Sequence, residues 1–365
     1  MITKKIILAA FMCFLSTACS YAQKIPFADA APYDTIMDGK KVALYNISDG
    51  KIGAQILNYG GFIVNIFTPD KNGKYDNVVT NYSDIHKYLR YNLGMVGPAL
   101  GRFANRIANA HFELDGVGYD VTKNNGRHIL HGGLRGFDHT VWDVVKHTKN
   151  KLVMRCVLED GLDGFPGNLT TTLTYSIKNG GLKIYYEATT DKKTIVNLSN
   201  HSYFNLEGIA DNNIYDHQLT IYADSITETD RENIPTGKLL SVKDTPYDFR
   251  QPVRIGDRQM ELKGFRFGQK IEIPEGKVMM YDNNFCLSHK KNGKAEKVAT
   301  LSSPKSGRTM EVYNDHPGLQ VYSGARKAIA LESQMYPDSP NHPEFPSVVL
   351  APGEIYRHTC IYLFK

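Results

Sequence analysis

The chain has 365 residues, 42% hydrophobic and 22% charged, with 43 basic against 38 acidic side chains and a net charge of +5. That composition belongs to a folded protein and excludes a disordered one. The charge is mild and no basic cluster is interleaved with aromatics, which excludes a nucleic-acid binder.

Residues 1–22 read as a signal peptide. Lys4 and Lys5 precede an apolar run, 6–18, too short to span a bilayer comfortably. Ser20-Tyr21-Ala22 then sets small residues at the −3 and −1 positions before Gln23. Cleavage before Cys19, with lipidation there, is the alternative, although Ser16 stands where a larger aliphatic residue is usual. Either way the mature chain is expected to be exported, to the periplasm. Its charge falls to +3, 41 basic against 38 acidic. Cys156, Cys286 and Cys360 remain, widely spaced and odd in number, so a disulfide framework and a cysteine zinc site are excluded and buried inert thiols expected. Residues 23–365 carry no linker-like break, no repeat and no further candidate membrane span, and read as one domain.

From residue 41 the pattern is almost all strand. Alternating or apolar runs fall at 41–47, 52–57 and 62–67, separated by Asp49-Gly50 and Gly60-Gly61. Residues 83–89 suggest a short helix capped by Ser83. Asp115-Gly116 marks a hairpin between 111–114 and 119–122. Strands are expected at 141–146, 151–158, 169–177, 182–190, 193–197 and 218–226. A Pro- and Gly-rich connection covers 231–257, and 259–264 suggests a helical turn. Further strands fall at 270–273, 285–287, 297–302, 309–313, 319–322, 329–332 and 354–364. Strand number and turn density predict an all-β fold, a large antiparallel β-sandwich with few short helices.

The densest polar stretch is Asn197-Leu198-Ser199-Asn200-His201-Ser202-Tyr203-Phe204-Asn205-Leu206. It follows the β-branched run Thr194-Ile195-Val196, and polar groups at such a strand end need partners. A hydrogen-bond network centred on His201 is one reading; a polar turn with a surface histidine is the other. His131 precedes Gly132-Gly133, which leave its ring uncrowded and let another backbone approach. Arg106 follows Asn105 in a short segment after Gly97 and Gly101, and a guanidinium there suits sugar hydroxyls as well as a surface ion pair. Asp282 either opens an Asx-turn or faces a cleft. Glu332 ends the apolar run Ala328-Ile329-Ala330-Leu331, where desolvation would raise its pKa towards that of a useful base. No metal-ligand spacing, phosphate-cradling loop or Gly-x-Ser-x-Gly elbow occurs, and no serine has a nucleophile's context.

Taken together the motifs resemble the aldose 1-epimerase (galactose mutarotase) family, from roughly residue 33 onward. The matching segments are Gly101-Arg102-Phe103-Ala104-Asn105-Arg106-Ile107, Leu130-His131-Gly132-Gly133 with Gly136-Phe137 and Trp142, and Asp160-Gly161 with Gly164-Phe165-Pro166-Gly167. They continue through 197–206, Pro235-Thr236-Gly237 and Thr245-Pro246-Tyr247-Asp248-Phe249-Arg250. Pro317-Gly318-Leu319-Gln320 and Leu331-Glu332-Ser333-Gln334 with Pro337-Asp338 complete the set. The resemblance implies a galactose mutarotase-like supersandwich, no cofactor and no metal, and interconversion of the α and β anomers of a free hexose such as galactose or glucose. It places Glu332 on the general base, His201 on the general acid, His131 on the second active-site histidine, and Asn105, Arg106, Asp282 and Gln320 on sugar-contacting positions. The partner implied is a monosaccharide, with monomer and homodimer both compatible. The chain departs from the family at Asn283, where histidine is frequent, and in a shortened segment between Gln320 and Glu332 with Ala325 in place of a common asparagine. That shortening suggests a more open wall and a broader or larger substrate range. A non-catalytic sugar-binding sandwich, a hexose-phosphate enzyme and an inverting hydrolase are the competing readings. The hydrolase would need two carboxyls flanking the bond.

Overall fold

Strict alternation sets the main sheet. Along Lys151–Leu158, residues Leu152, Met154, Cys156 and Leu158 are buried. The same period continues in Leu169–Lys178 and Gly181–Thr190, as expected for strands with one face on a core. A computed structural model describes residues 24–91, 95–209, 213–262, 265–266, 269–270, 280–288, 293–324 and 327–365. The expected signal peptide, 1–22, lies wholly outside these residues, and so does most of the expected 270–273 strand. Among the described residues no helix is long and apolar enough to cross a membrane.

Nine antiparallel strands form one sheet: Asp143–Thr148, Lys151–Leu158, Leu169–Lys178, Gly181–Thr190, Tyr356–Phe364, Thr309–Asn314, Glu296–Ser302, Gln218–Ile221 and Val253–Arg254, in that spatial order. A six-stranded sheet runs Tyr203–Phe204, Ile329–Gln334, Gly318–Tyr322, Asp282–Leu287, Ala223–Thr229, Pro235–Ser241. The two pack face to face. Phe204 meets Tyr362 with ring centroids 4.7 Å apart, and the Tyr362 hydroxyl donates to the Leu331 carbonyl at 3.0 Å. A four-stranded sheet, Leu44–Ser48 to Tyr75–Asn77, feeds Ile47, Ile56, Ile63 and Ile66 into the same core. The all-β sandwich is therefore as expected, and the three cysteines are buried and free.

Several local expectations need correction. The helix is Ile85–Tyr91, and its cap is Asp84, whose Oδ1 accepts from the Lys87 N–H at 3.0 Å; Ser83 instead donates to Asp84. The second helix, Ile255–Glu261, starts four residues before the expected turn at 259. The 193–197 strand shrinks to Thr194–Ile195. The 218–226 run is two strands: the chain leaves the nine-stranded sheet at Ile221 and enters the six-stranded one at Ala223. The 231–257 connection contains the edge strand Pro235–Ser241, where Pro235 is tolerated because it starts the strand.

Two buried arginines clamp backbone carbonyls at strand ends and connections of the sheets. Arg102 donates to the carbonyls of Leu158, Pro166 and Gly167. Arg308 donates to those of Leu206, Thr68 and Lys74. Each guanidinium satisfies several backbone acceptors that a loop would otherwise leave unpaired. Arg102 thereby fixes the start of the segment carrying Asn105 and Arg106.

Candidate active site

Register brings the acidic side chains together. Gln320 pairs with Glu332 across one strand boundary and with Asn284 across the other, while Tyr322 pairs with Asp282. Period-two alternation then puts Asp282, Asn284, Gln320, Tyr322, Glu332 and Gln334 on one face and Leu319, Val321, Leu331 and Ser333 on the other. Glu332 thus sits inside the Ile329–Gln334 strand, not at its end. The first face floors a cleft of about 500 Å³, within the range of small-molecule sites. All seven residues singled out in the sequence line it: Asn105, Arg106, His131, His201, Asp282, Gln320 and Glu332.

His131 is held by a reciprocal exchange with Asn105. The His131 N–H donates to the Asn105 carbonyl at 3.0 Å, and the Asn105 N–H donates to His131 Nδ1 at 3.1 Å. With Nδ1 accepting, the neutral ring carries its proton on Nε2. Gly132 has φ +94°, and a Cβ there would lie 2.2 Å from the Gly101 carbonyl oxygen, so the close backbone approach requires glycine.

His201 and Glu332 form the centre. His201 Nε2 lies 3.4 Å from Glu332 Oε1, and the rings of His131 and His201 meet edge to face at 5.3 Å. Glu332 is 1% and His201 5% exposed. Among the described residues, Glu332 Oε2 and His201 Nδ1 have no protein partner. Burial, reinforced by Asp282 and eased by Arg106, pushes the Glu332 carboxyl well above the usual carboxylate range. Burial pushes His201 down to about 4. Burial lowers His131 well below the usual range, with help from His201 and Arg106. Burial thus favours the neutral form of each group, an arrangement that carries one proton on the pair.

Around them runs a sugar-sized set of polar groups. Asp282 Oδ1 accepts from Gln320 Nε2 at 2.6 Å, Oδ2 accepts from Asn233 Nδ2 at 3.2 Å, and Arg106 Nη1 stands 3.7 Å from Oδ2. Arg106 Nε donates to Asn125 Oδ1 at 3.2 Å. Asn283, the family departure, does not line the cleft. His131, His201 and Glu332 place one ligand atom each within 4.8 Å of one another, a set that could also hold a divalent cation. A cation there would occupy the lone pairs that acid–base work needs.

The polar stretch does something other than orient the imidazole. Asn197 Nδ2 donates to the Ala104 carbonyl at 3.0 Å, and its Oδ1 accepts from the Met335 N–H at 2.8 Å. It staples the segments on either side of the cleft. Asn200 donates to the carbonyls of Gly97 and Pro98 and accepts from Ser202. Asn205 accepts from the Glu207 N–H and donates to the Lys327 carbonyl. The stretch does form a hydrogen-bond network, but it is not centred on His201: among the described residues His201 Nδ1 bonds to none of its members. Packing holds the ring instead, with Tyr203 at 4.8 Å and Tyr322 at 6.1 Å between centroids. Tyr203, Tyr322, Asn124, Asn125 and Asn233 were not singled out in the sequence.

Comparison with known proteins points to one family. The family model for aldose 1-epimerase matches residues 43–363. The chain is 35% identical to the galactose mutarotase of Sus scrofa over 340 residues, 89% of this chain and 94% of that protein. It is 36% identical to the aldose 1-epimerase of Escherichia coli K12 over 287 residues, 74% of this chain and 80% of that one. A crystal structure of a GalM/aldose epimerase homologue from C. elegans superposes with a TM-score of 0.80 at 29% identity, covering 89% of this chain and 99% of that one.

Proposed function

The chain belongs to the aldose 1-epimerase family and interconverts the α and β anomers of aldoses, and from that premise we propose that Glu332 and His201 carry the two proton transfers. Free hexoses, galactose and glucose, are the substrates this reading assigns. In ring opening, ionised Glu332 takes the proton of the anomeric hydroxyl and protonated His201 gives one to the ring oxygen. The C1–O5 bond breaks, leaving an aldehyde at C1 and a hydroxyl on C5, and the aldehyde rotates about C1–C2. In closure, neutral His201 takes the C5 hydroxyl proton and protonated Glu332 returns one to the carbonyl oxygen. One proton on the pair serves both directions, so no net proton is gained or lost. His131, with Nε2–H as donor, and Arg106 stabilise charge developing on the ring oxygen. Asp282, Gln320 and Asn105 hold the other hydroxyls.

The observation that carries this reading is the buried 3.4 Å His201–Glu332 contact with an unpartnered polar atom on each residue inside the cleft. A non-catalytic binder has no need of such a pair. Polarimetry of fresh α-galactose tests it: acceleration of the optical-rotation decay supports turnover, and binding without acceleration would leave a sugar-binding sandwich.

Substrate breadth is a separate expectation. Leu89 and Leu134 line the mouth and are 42% and 58% exposed, leaving an apolar rim outside the polar floor. Initial rates on glucose, xylose and maltose are expected to fall within about an order of magnitude of that on galactose, since losing one contact is typically worth 10–200-fold only when the pocket grips it. A galactose-only preference would overturn the open-wall reading.

Export is proposed on the sequence alone, from Lys4, Lys5 and the apolar run ahead of Ser20-Tyr21-Ala22. N-terminal sequencing of the protein from a periplasmic fraction should begin at Gln23. A lipidated Cys19 would replace this with the alternative cleavage, and an intact Met1 in the cytosol would refute both.

A further inference from the structure

Behind Glu332, on the opposite face of its strand, lies a second polar cluster that no step above uses. Asp315 accepts from His358 Nδ1 at 2.7 Å, from His316 Nδ1 at 3.1 Å, and from the Thr359 N–H at 2.9 Å. From this carboxylate two arms run outward. On one, His358 Nε2 meets Ser333 Oγ at 3.1 Å, and Ser333 is the residue after Glu332. On the other, His316 Nε2 meets the Tyr356 hydroxyl at 2.9 Å, and that hydroxyl accepts from the Leu198 N–H at 3.1 Å. Leu198 lies three residues before His201. Tyr186 reinforces the second side: its ring stacks on His358 and its hydroxyl donates to the Ser199 carbonyl at 2.6 Å.

Donor and acceptor accounting fixes the direction of these bonds. Asn314 Nδ2 donates to the carbonyls of His316 and Gly318, so its Oδ1 is an acceptor, and it receives both the His316 N–H and the Ser333 hydroxyl. Ser333 has one proton, and Asn314 takes it. His358 meets the Ser333 oxygen with Nε2 and the Asp315 carboxylate with Nδ1. On the other arm Tyr356 accepts from Leu198, and its own proton goes to His316 Nε2. Among the described residues every buried side-chain polar atom in the two arms has a partner, in contrast to Glu332 Oε2 and His201 Nδ1. Burial pushes the Asp315 carboxyl up, but the bonds from His316 and His358 outweigh it and hold it far below the usual range. Ser333, His358 and Asp315 stand in the order of a hydrolase triad. The serine is 2% exposed, none of the three lines the cleft, and its proton is already given to Asn314, so this is not a nucleophile.

We propose that Asp315 is a positioning residue for both halves of the proton-transfer pair. Through His358 and Ser333 it sets the strand carrying Glu332, and through His316 and Tyr356 it sets the segment carrying His201. The proposal rests on the assignment of Glu332 and His201 as base and acid. Its physical basis is that a fully satisfied buried network has one geometry, and a half-satisfied one has several. The 3.4 Å contact between the pair spans two chain segments that no sheet ladder joins directly at those residues, so its spacing depends on what braces each segment from behind.

The test is steady-state polarimetry on galactose with Asp315→Asn, Ser333→Ala and Tyr356→Phe, run well below the melting temperature of each variant. Asp315→Asn is expected to lower kcat at least about tenfold with KM within about threefold of wild type, since misplacement of reacting groups by about 1 Å can cost 10²-fold. Ser333→Ala and Tyr356→Phe should each lower kcat less, and their double variant should approach Asp315→Asn. Ser333→Thr, which keeps the hydroxyl, should recover most of the Ser333→Ala loss. Wild-type kcat in folded Asp315→Asn overturns the proposal. So does a fall in rate that only tracks the folded fraction. If Asp315→Asn does not fold, wild-type kcat in both Ser333→Ala and Tyr356→Phe overturns it equally. Glu332→Gln is run alongside: full rate there would refute the acid–base assignment itself, whereas loss there with no loss in the network variants refutes only the role of Asp315.

Discussion

Glu332→Gln is expected to lower kcat on galactose by about 10²–10⁴-fold, the usual worth of a placed acid or base. The amide keeps the size of the side chain and its place in the Ile329–Gln334 strand, but it can neither take nor give the proton. Its folding stability should not fall. Glu332 is 1% exposed and burial already disfavours its charged form, so a neutral isostere of the same size introduces no new buried charge. KM should change little, because the sugar hydroxyls still meet Arg106, Asp282 and Gln320. Polarimetry and a thermal melt on one preparation decide the matter. A wild-type rate would remove Glu332 from the chemistry. A low rate together with a large loss of stability would mean that the carboxylate holds the fold and not the reaction.

Residue types in the site were legible in the sequence because each stood out against its own surroundings. Glu332 closed an apolar run, His131 preceded two glycines, and His201 sat in the densest polar stretch. What could not be read was who touches whom. Asn197 looked like a neighbour for His201, yet it joins Ala104 to Met335 across the cleft. Arg102 and Arg106 share one motif, but the first points into the interior to clamp carbonyls and only the second reaches the cleft. Spacing alone does not separate them, since their backbones are irregular there. Asn125 and Asn233 carry no signal in the sequence, and their side chains steady Arg106 and Asp282.

The same limit applies to the fold. Period-two runs such as Lys151–Leu158 declared themselves because one face is core and the other solvent. The 218–226 run misled for a physical reason: both sheets bury their inner faces against one core, so apolar patterning continues through the switch at Tyr222. Pro235–Ser241 was hidden because an edge strand with mixed burial carries no clean alternation.

His201→Asn is expected to lower kcat on galactose by about 10²–10⁴-fold and also to change the pH profile. In the wild type, kcat/KM reports the free enzyme, in which Glu332 and His201 share one proton. As pH falls, a second proton arrives only when His201 is protonated, at about 4, because burial disfavours its charged form. That second proton leaves the pair without a base. Activity should therefore hold through the region near 6.5 where a solvated imidazole titrates, and fall about tenfold per pH unit only below about 4. As pH rises, the limb belongs to Glu332, whose carboxyl is pushed up; losing that proton leaves the pair without an acid. In His201→Asn the acid limb near 4 should vanish from the residual rate, since the group that titrates there is gone. Rates measured from about pH 3 to pH 8, with circular dichroism to verify that the protein stays folded, test both statements. An acid limb at about 6.5 would mean that His201 is solvated and titrates independently, and the shared proton would have to be abandoned.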